Sequence, residues 1–141
     1  MTMTLSIAPP NVGTKMSFRK TMTVAEQAMF TGISGNLDPL HVDQRAARAA
    51  GFTGVLAFEL AVAALATTSL NRLAGPNWRI GAVRLEFPMP VVVGDTVEAV
   101  VEVVSAEAEK IECTVACLIK GNSDAIAVTG SASLVPLSAR G

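Results

Sequence analysis

The sequence predicts an α+β domain in which an antiparallel sheet of about five strands wraps round one long apolar helix. Three observations carry that reading. Residues 56–73 read as the longest helix, apolar on nearly every side in its first half and rich in alanine. Such a helix needs enclosure by other elements, and its small side chains let neighbouring backbone come close. Four alternating segments joined by short turns follow it, as in an antiparallel meander. One more alternating segment, residues 14–22, precedes it. Strands grouped apart from the helix in this way belong to the α+β class.

The elements follow in order. Residues 1–13, with Pro9-Pro10, are expected as an N-terminal extension, residues 14–136 as one domain and residues 137–141 as a C-terminal tail. Thr23-Val-Ala-Glu26 is a capping box that opens a short helix to about residue 33. A polar loop, residues 34–40, leads to His41. Asp43 can cap a helix over 44–50, and Gly51 stops it. The loop 51–54 feeds the long helix, which Gly75-Pro76 ends. Strands are expected over 78–87, over 97–106 after a Gly94-Asp95 turn, over 111–120, and over 125–135 after the turn at 121–123. Asp95 is read as a structural turn residue.

Bulk properties narrow the function. A chain of 141 residues, half of them hydrophobic, can build one real core. Eleven basic and 12 acidic residues, with the basic ones scattered along the chain, give a net charge of −1 and no clustered basic excess for nucleic acid. Cys113 and Cys117 lie four apart in an alternating segment. At strand rise they face one side but stand roughly 13 Å apart, too far for a disulfide. They are expected to be free thiols in a reducing compartment, hence a cytoplasmic protein. One histidine and no Cys-x-x-Cys exclude a zinc site from the expectation. Residues 1–10 lack the pattern of a signal peptide, and the apolar run 54–66 is too short to span a bilayer and is interrupted by Glu59.

Two segments carry a family resemblance. The first is Ser34-Gly-Asn-Leu-Asp-Pro-Leu-His41-Val-Asp43, followed by an Ala-rich helix and Gly51-Phe52. The second is Arg84-Leu-Glu-Phe87-Pro-Met-Pro90-Val-Val-Val-Gly94-Asp95-Thr96. Together they resemble the MaoC-like hydratases and dehydratases of the hot-dog superfamily, over roughly residues 14–135. The first is similar to the family loop Gly-Asp-x-Asn-Pro-x-His-x-Asp, the second to its Phe-x-x-Pro-Val-x-x-Gly-Asp strand-turn-strand. The sequence departs from the pattern twice. Asn36 stands where the family has the aspartate that works with the histidine, and an amide cannot serve as general base. A carboxylate occurs instead at Asp38. The central helix opens Ala57-Phe58-Glu59-Leu60 where the family reads Ala-His-Gly-Met. There, Gly54-Val-Leu-Ala-Phe-Glu59 resembles the β-hydroxyacyl-ACP dehydratases, whose glutamate works with a loop histidine. The His-Phe-Pro-Gly loop of that group is absent.

The resemblance implies a hydratase interconverting a trans-2-enoyl thioester and its (R)-3-hydroxyacyl thioester. His41 would be the acid/base group, with Glu59 or Asp38 as carboxylate and Asn36 orienting water or thioester. Amides at the helix start, near residues 57–60, would hold the enolate oxygen. A glutamate enclosed in an apolar helix is poised to exchange a proton near neutrality. Phe52, Ala57, Phe58, Leu60 and Arg84 are placed against the substrate, and Met29 and Phe30 in the core or along an acyl tunnel. No metal or cofactor is implied, since hydration of a CoA or acyl-carrier thioester needs none. A homodimer is expected, because a five-stranded sheet leaves unpaired edges. Other readings remain open: a hot-dog thioesterase, a double-bond isomerase, or a non-catalytic acyl-CoA-binding subunit. Each residue also has a structural role available: His41 and Asp43 as caps, Asn36 and Asp38 as turn residues, Glu59 as a first-turn carboxylate in solvent or paired with Arg84.

Overall fold

The structure, a computed structural model, describes residues 8–121 and 123–138. The expected extension and tail lie partly outside the described residues, as does Asn122 of the expected 121–123 turn. The order is β1 (Lys15–Thr21), α1 (Val24–Ser34), α2 (Pro39–Val42), α3 (Gln44–Ala49), α4 (Glu59–Ala74), β2 (Trp78–Glu86), β3 (Thr96–Ala106), β4 (Ile111–Ile119) and β5 (Ala125–Pro136). All strand pairs are antiparallel, in the sheet order β1-β3-β4-β5-β2.

The period-2 pattern of β3 and β4 puts one face of each strand in the core. Val97, Val101 and Val103 on β3, and Ile111 and Val115 on β4, are almost wholly buried. The long helix α4 lies on this face through Val62, Leu65, Ala66 and Leu70. The buried Ser69 hydroxyl donates to the Ala99 carbonyl on β3 at 2.8 Å, so the helix is fastened to the sheet as well as packed on it. Cys113 and Cys117 are free and buried on β4. Burial pushes both thiols up to about 11, with the Glu112 charge adding to the effect at Cys113.

The capping box forms as the sequence implies. The Thr23 side chain accepts from the Ala25 amide, and the Glu26 carboxylate accepts from the Thr23 amide at 2.7 Å. Gly35 then ends α1 in the left-handed conformation, φ 73°. Three features differ from expectation. The central helix starts at Glu59, not at residue 56, because the preceding residues pair with a distant segment. The Ala57 amide bonds the Val91 carbonyl, Val93 bonds Val55, and Leu56 forms a bridge with Val92. A one-turn helix, α2, occupies part of the expected loop and carries His41. The α4 helix is not enclosed all round: Leu60 is 59% exposed, and Ala64 and Thr67 also face outward. Of the two places expected for Met29, the core is excluded by its 67% exposure, and it lines a surface groove with Phe30 and Ile33. Among the described residues, no helix is long and apolar enough to cross a membrane.

Candidate active site

The site lies where α2 meets the N-terminus of α4. Local sequence builds α2. Asp38 is its N-cap, with Oδ1 accepting from the Leu40 amide at 3.1 Å, and Pro39 occupies the first turn, where a missing N–H costs nothing. Asn36 Oδ1 accepts from the Asp38 amide at 2.9 Å, and the Asn36 carbonyl accepts from the Thr31 hydroxyl at 3.0 Å. Asn36 and Asp38 are exposed, and each side chain is engaged by backbone two residues on. Both act here as turn and cap groups whose effect is to present His41.

The His41 side chain is only 11% exposed. Its Nδ1 lies 2.8 Å from the Leu56 carbonyl oxygen. A carbonyl only accepts, so Nδ1 carries the proton and the neutral ring leaves its lone pair on Nε2. The ring stacks on Phe58 with centroids 4.3 Å apart, and Phe58 stacks on Phe30 at 4.6 Å. Nε2 faces the Glu59 carboxylate at 3.9 Å. That distance is too long for a direct hydrogen bond and leaves both atoms open to one shared water or reacting group.

Glu59 is the first residue of α4, where a carboxylate suits the helix dipole. Its side chain is 52% exposed, so it is not the enclosed glutamate expected from the apolar run. Phe58 is the N-cap and supplies no capping side chain. The amides of Glu59, Leu60 and Ala61 therefore have no intrahelical acceptor and are free to bind an oxyanion. The donors expected near 57–60 are shifted along the chain, because the Ala57 amide is taken by the Val91 carbonyl and the Phe58 amide by Gln27.

The residues assigned to substrate contact separate. Leu60 lines an apolar groove of about 230 Å³ between α4 and β2, with Ala64, Thr67, Ile80, Val83 and Leu85. Ala57 and Phe58 are 3% and 1% exposed. Phe58 backs the His41 ring, and Ala57 lines a small cleft beside Glu59. Phe52 is half-buried, and its amide bonds Ala47. Arg84 is exposed on the edge strand β2, and no salt bridge joins it to Glu59 among the described residues. Asp43 caps α3 through the Arg45 amide, and Asp95 accepts from the Val92 amide, both as expected of structural groups. Among the described residues, no three His, Cys, Asp or Glu side chains converge as metal ligands would.

One residue was missed. Gln27, on α1, is 7% exposed and reaches three backbone groups of the site. Nothing local in the sequence marks it, since a lone glutamine in a short amphipathic helix reads as solvent-facing.

A sheet wrapped round a central helix, with a histidine held at that helix's N-terminus, defines a hot-dog-fold protein. The MaoC-like domain model matches residues 8–122, and the chain belongs to that family. It is 34% identical over 122 residues to an (R)-specific enoyl-CoA hydratase of Aeromonas caviae, covering 86% of this chain and 91% of the relative. An (R)-specific enoyl-CoA hydratase of Rhodospirillum rubrum is 30% identical over 126 residues, covering 87% and 85%. Among solved structures, the (R)-hydratase from A. caviae involved in PHA biosynthesis superposes with a TM-score of 0.83 at 32% identity. That match covers 90% of this chain and 97% of the other.

Proposed function

We propose that this chain is an enoyl thioester hydratase, adding water across a trans-2-enoyl-CoA to give the (R)-3-hydroxyacyl-CoA and catalysing the reverse dehydration. The observation that carries this reading is the pair formed by His41 Nε2 and Glu59, 3.9 Å apart beside the uncapped start of α4. Water bound between them donates one hydrogen bond to each. Nε2 takes a proton as the water oxygen bonds to C3. The electron pair of the double bond moves toward the thioester oxygen, which the free α4 amides receive. The imidazolium then returns the proton to C2, so the sum is one water added and the enzyme unchanged. The Leu56 carbonyl on Nδ1–H and the Glu59 carboxylate both stabilise the imidazolium while it lasts. The acyl chain takes the apolar groove that begins at Leu60. No metal or organic cofactor is required by these steps.

Two coarser expectations belong with this reading. Among the described residues, the edge strands β1 and β2 each pair on one side only. A second copy of the chain pairing along such an edge makes a homodimer. Buried free thiols suit a reducing cytoplasm.

The test is incubation with crotonyl-CoA, following enoyl absorbance and free thiol together. Loss of the enoyl signal without thiol, abolished in His41→Ala, is the expected result. Thiol release would make the protein a thioesterase. Conversion of a 3-enoyl-CoA without hydration would make it an isomerase. No turnover at any chain length would reduce it to a binding subunit.

A further inference from the structure

We infer that Gln27 is the positioning residue of this site, fixing the tautomer of His41 and the entry of α4 with one buried amide. The inference deepens the hydratase reading and rests on it for its kinetic part only. Every polar atom of the amide is used. Nε2 donates to the His41 carbonyl at 2.8 Å and to the Leu56 carbonyl at 2.9 Å, and Oε1 accepts from the Phe58 amide at 3.3 Å. These partners belong to the turn that carries His41 and to the segment that enters α4. A residue needed only to fill space at this buried position would be better met by Leu or Met, since a buried amide is costly unless bonded.

The Leu56 carbonyl is the key atom. It accepts from Gln27 and from His41 Nδ1 together, so both of its lone pairs are filled. With one pair held by Gln27, the other points in a fixed direction and selects the Nδ1–H tautomer. That leaves the Nε2 lone pair toward Glu59. Through the Phe58 amide, the same glutamine holds the N-cap of α4 and with it the starting point of Glu59. One side chain therefore sets both members of the acid–base pair without touching substrate.

The chain has a single histidine, so ¹⁵N imidazole spectra report this ring alone. Wild type at a pH where the ring is neutral is expected to show one protonated Nδ1 and one bare Nε2. In Gln27→Met, which keeps the volume and loses the bonds, the two nitrogen signals should move toward a mixed tautomer. Its kcat should fall about tenfold to a hundredfold, as for loss of a group that orients a proton carrier, with KM moved less than about threefold. Gln27→Glu is the second variant, should Gln27→Met fail to fold. A protonated glutamic acid restores one donor, whereas the carboxylate repels both carbonyls. Its kcat relative to wild type should therefore rise as pH falls. An unshifted Nδ1–H tautomer in Gln27→Met, or a wild-type-shaped pH profile in Gln27→Glu, overturns the proposal. If wild type fails to hydrate any enoyl thioester yet the tautomer depends on Gln27, the hydratase reading falls and the positioning role stands.

Discussion

Replacing Gly130 by alanine should loosen β2 from the sheet. Gly130 lies on β5, opposite Leu85 of β2. A Cβ there would stand 1.9 Å from the Arg84 carbonyl oxygen and 3.0 Å from the Leu85 Cα. Both obstacles are backbone, so no rotamer change relieves them. Restoring ordinary contact of roughly 3.5 Å moves β2 outward by well over 1 Å, which takes the nearest ladder hydrogen bonds beyond their working length. Loss of about two such bonds, at about 1 kcal/mol each, with some loosening of the Leu85 side chain, gives a destabilisation of about 2–3 kcal/mol. For a chain of this size that is a melting-point drop on the order of 10 °C. Urea unfolding measures it through the midpoint, with the slope unchanged if only the native state is affected. Gly32→Ala is the internal contrast. Gly32 sits inside α1 with nothing within 4 Å of its built Cβ, so alanine there should stabilise by about 0.5–1 kcal/mol. Equal midpoints for Gly130→Ala and wild type would refute the close approach of β2 and β5, and with it the shape of the groove beside Leu60.

Three further outcomes follow from particular contacts. At Glu26 partial burial alone would raise the carboxyl, but hydrogen bonds from Lys20 and Thr23 outweigh it and lower it from 4.5 to about 2. A depressed carboxyl stabilises the fold above its unfolded value. Glu26→Gln should therefore cost about 1 kcal/mol at pH 7, and the difference from wild type should shrink from about pH 4.5 down to pH 2 in acid titrations of stability. Cys113 and Cys117, with thiols near 11 and no access, should resist a disulfide reagent at pH 8 in the native state and react fully in denaturant. Leu60→Trp should fill the mouth of the apolar groove and raise KM for an eight-carbon enoyl-CoA about tenfold more than for crotonyl-CoA, measured by initial rates.

Much of this arrangement was legible in the sequence because it is local. The Thr23–Glu26 box, the Gly75 stop and the alternation of 97–106 and 111–120 each depend on residues a few positions apart. What was not legible depends on pairing across the chain. The start of α4 moved from 56 to 59 because the amides and carbonyls of 55–57 are spent on 91–93, more than 30 residues away. The α2 turn is too short to show a helical period. In the site, the motif brought His41 and Glu59 to notice, and the structure sets them face to face. The same motif drew Asn36 and Asp38 toward chemistry, and one oxygen of each side chain is engaged by local backbone. Gln27 could be found only from its burial, which no local pattern encodes.

The hydratase reading requires the Glu59 carboxylate to hold the water and stabilise the His41 imidazolium, since the family's usual aspartate is absent at Asn36. The direct measurement is kcat/KM for crotonyl-CoA hydration by Glu59→Gln, with circular dichroism showing the fold retained. The amide keeps the shape and the start of α4 but cannot hold water as an anion beside Nε2. A loss of about two to four orders of magnitude is expected. A rate within twofold of wild type would rule out a role for Glu59 in the reaction.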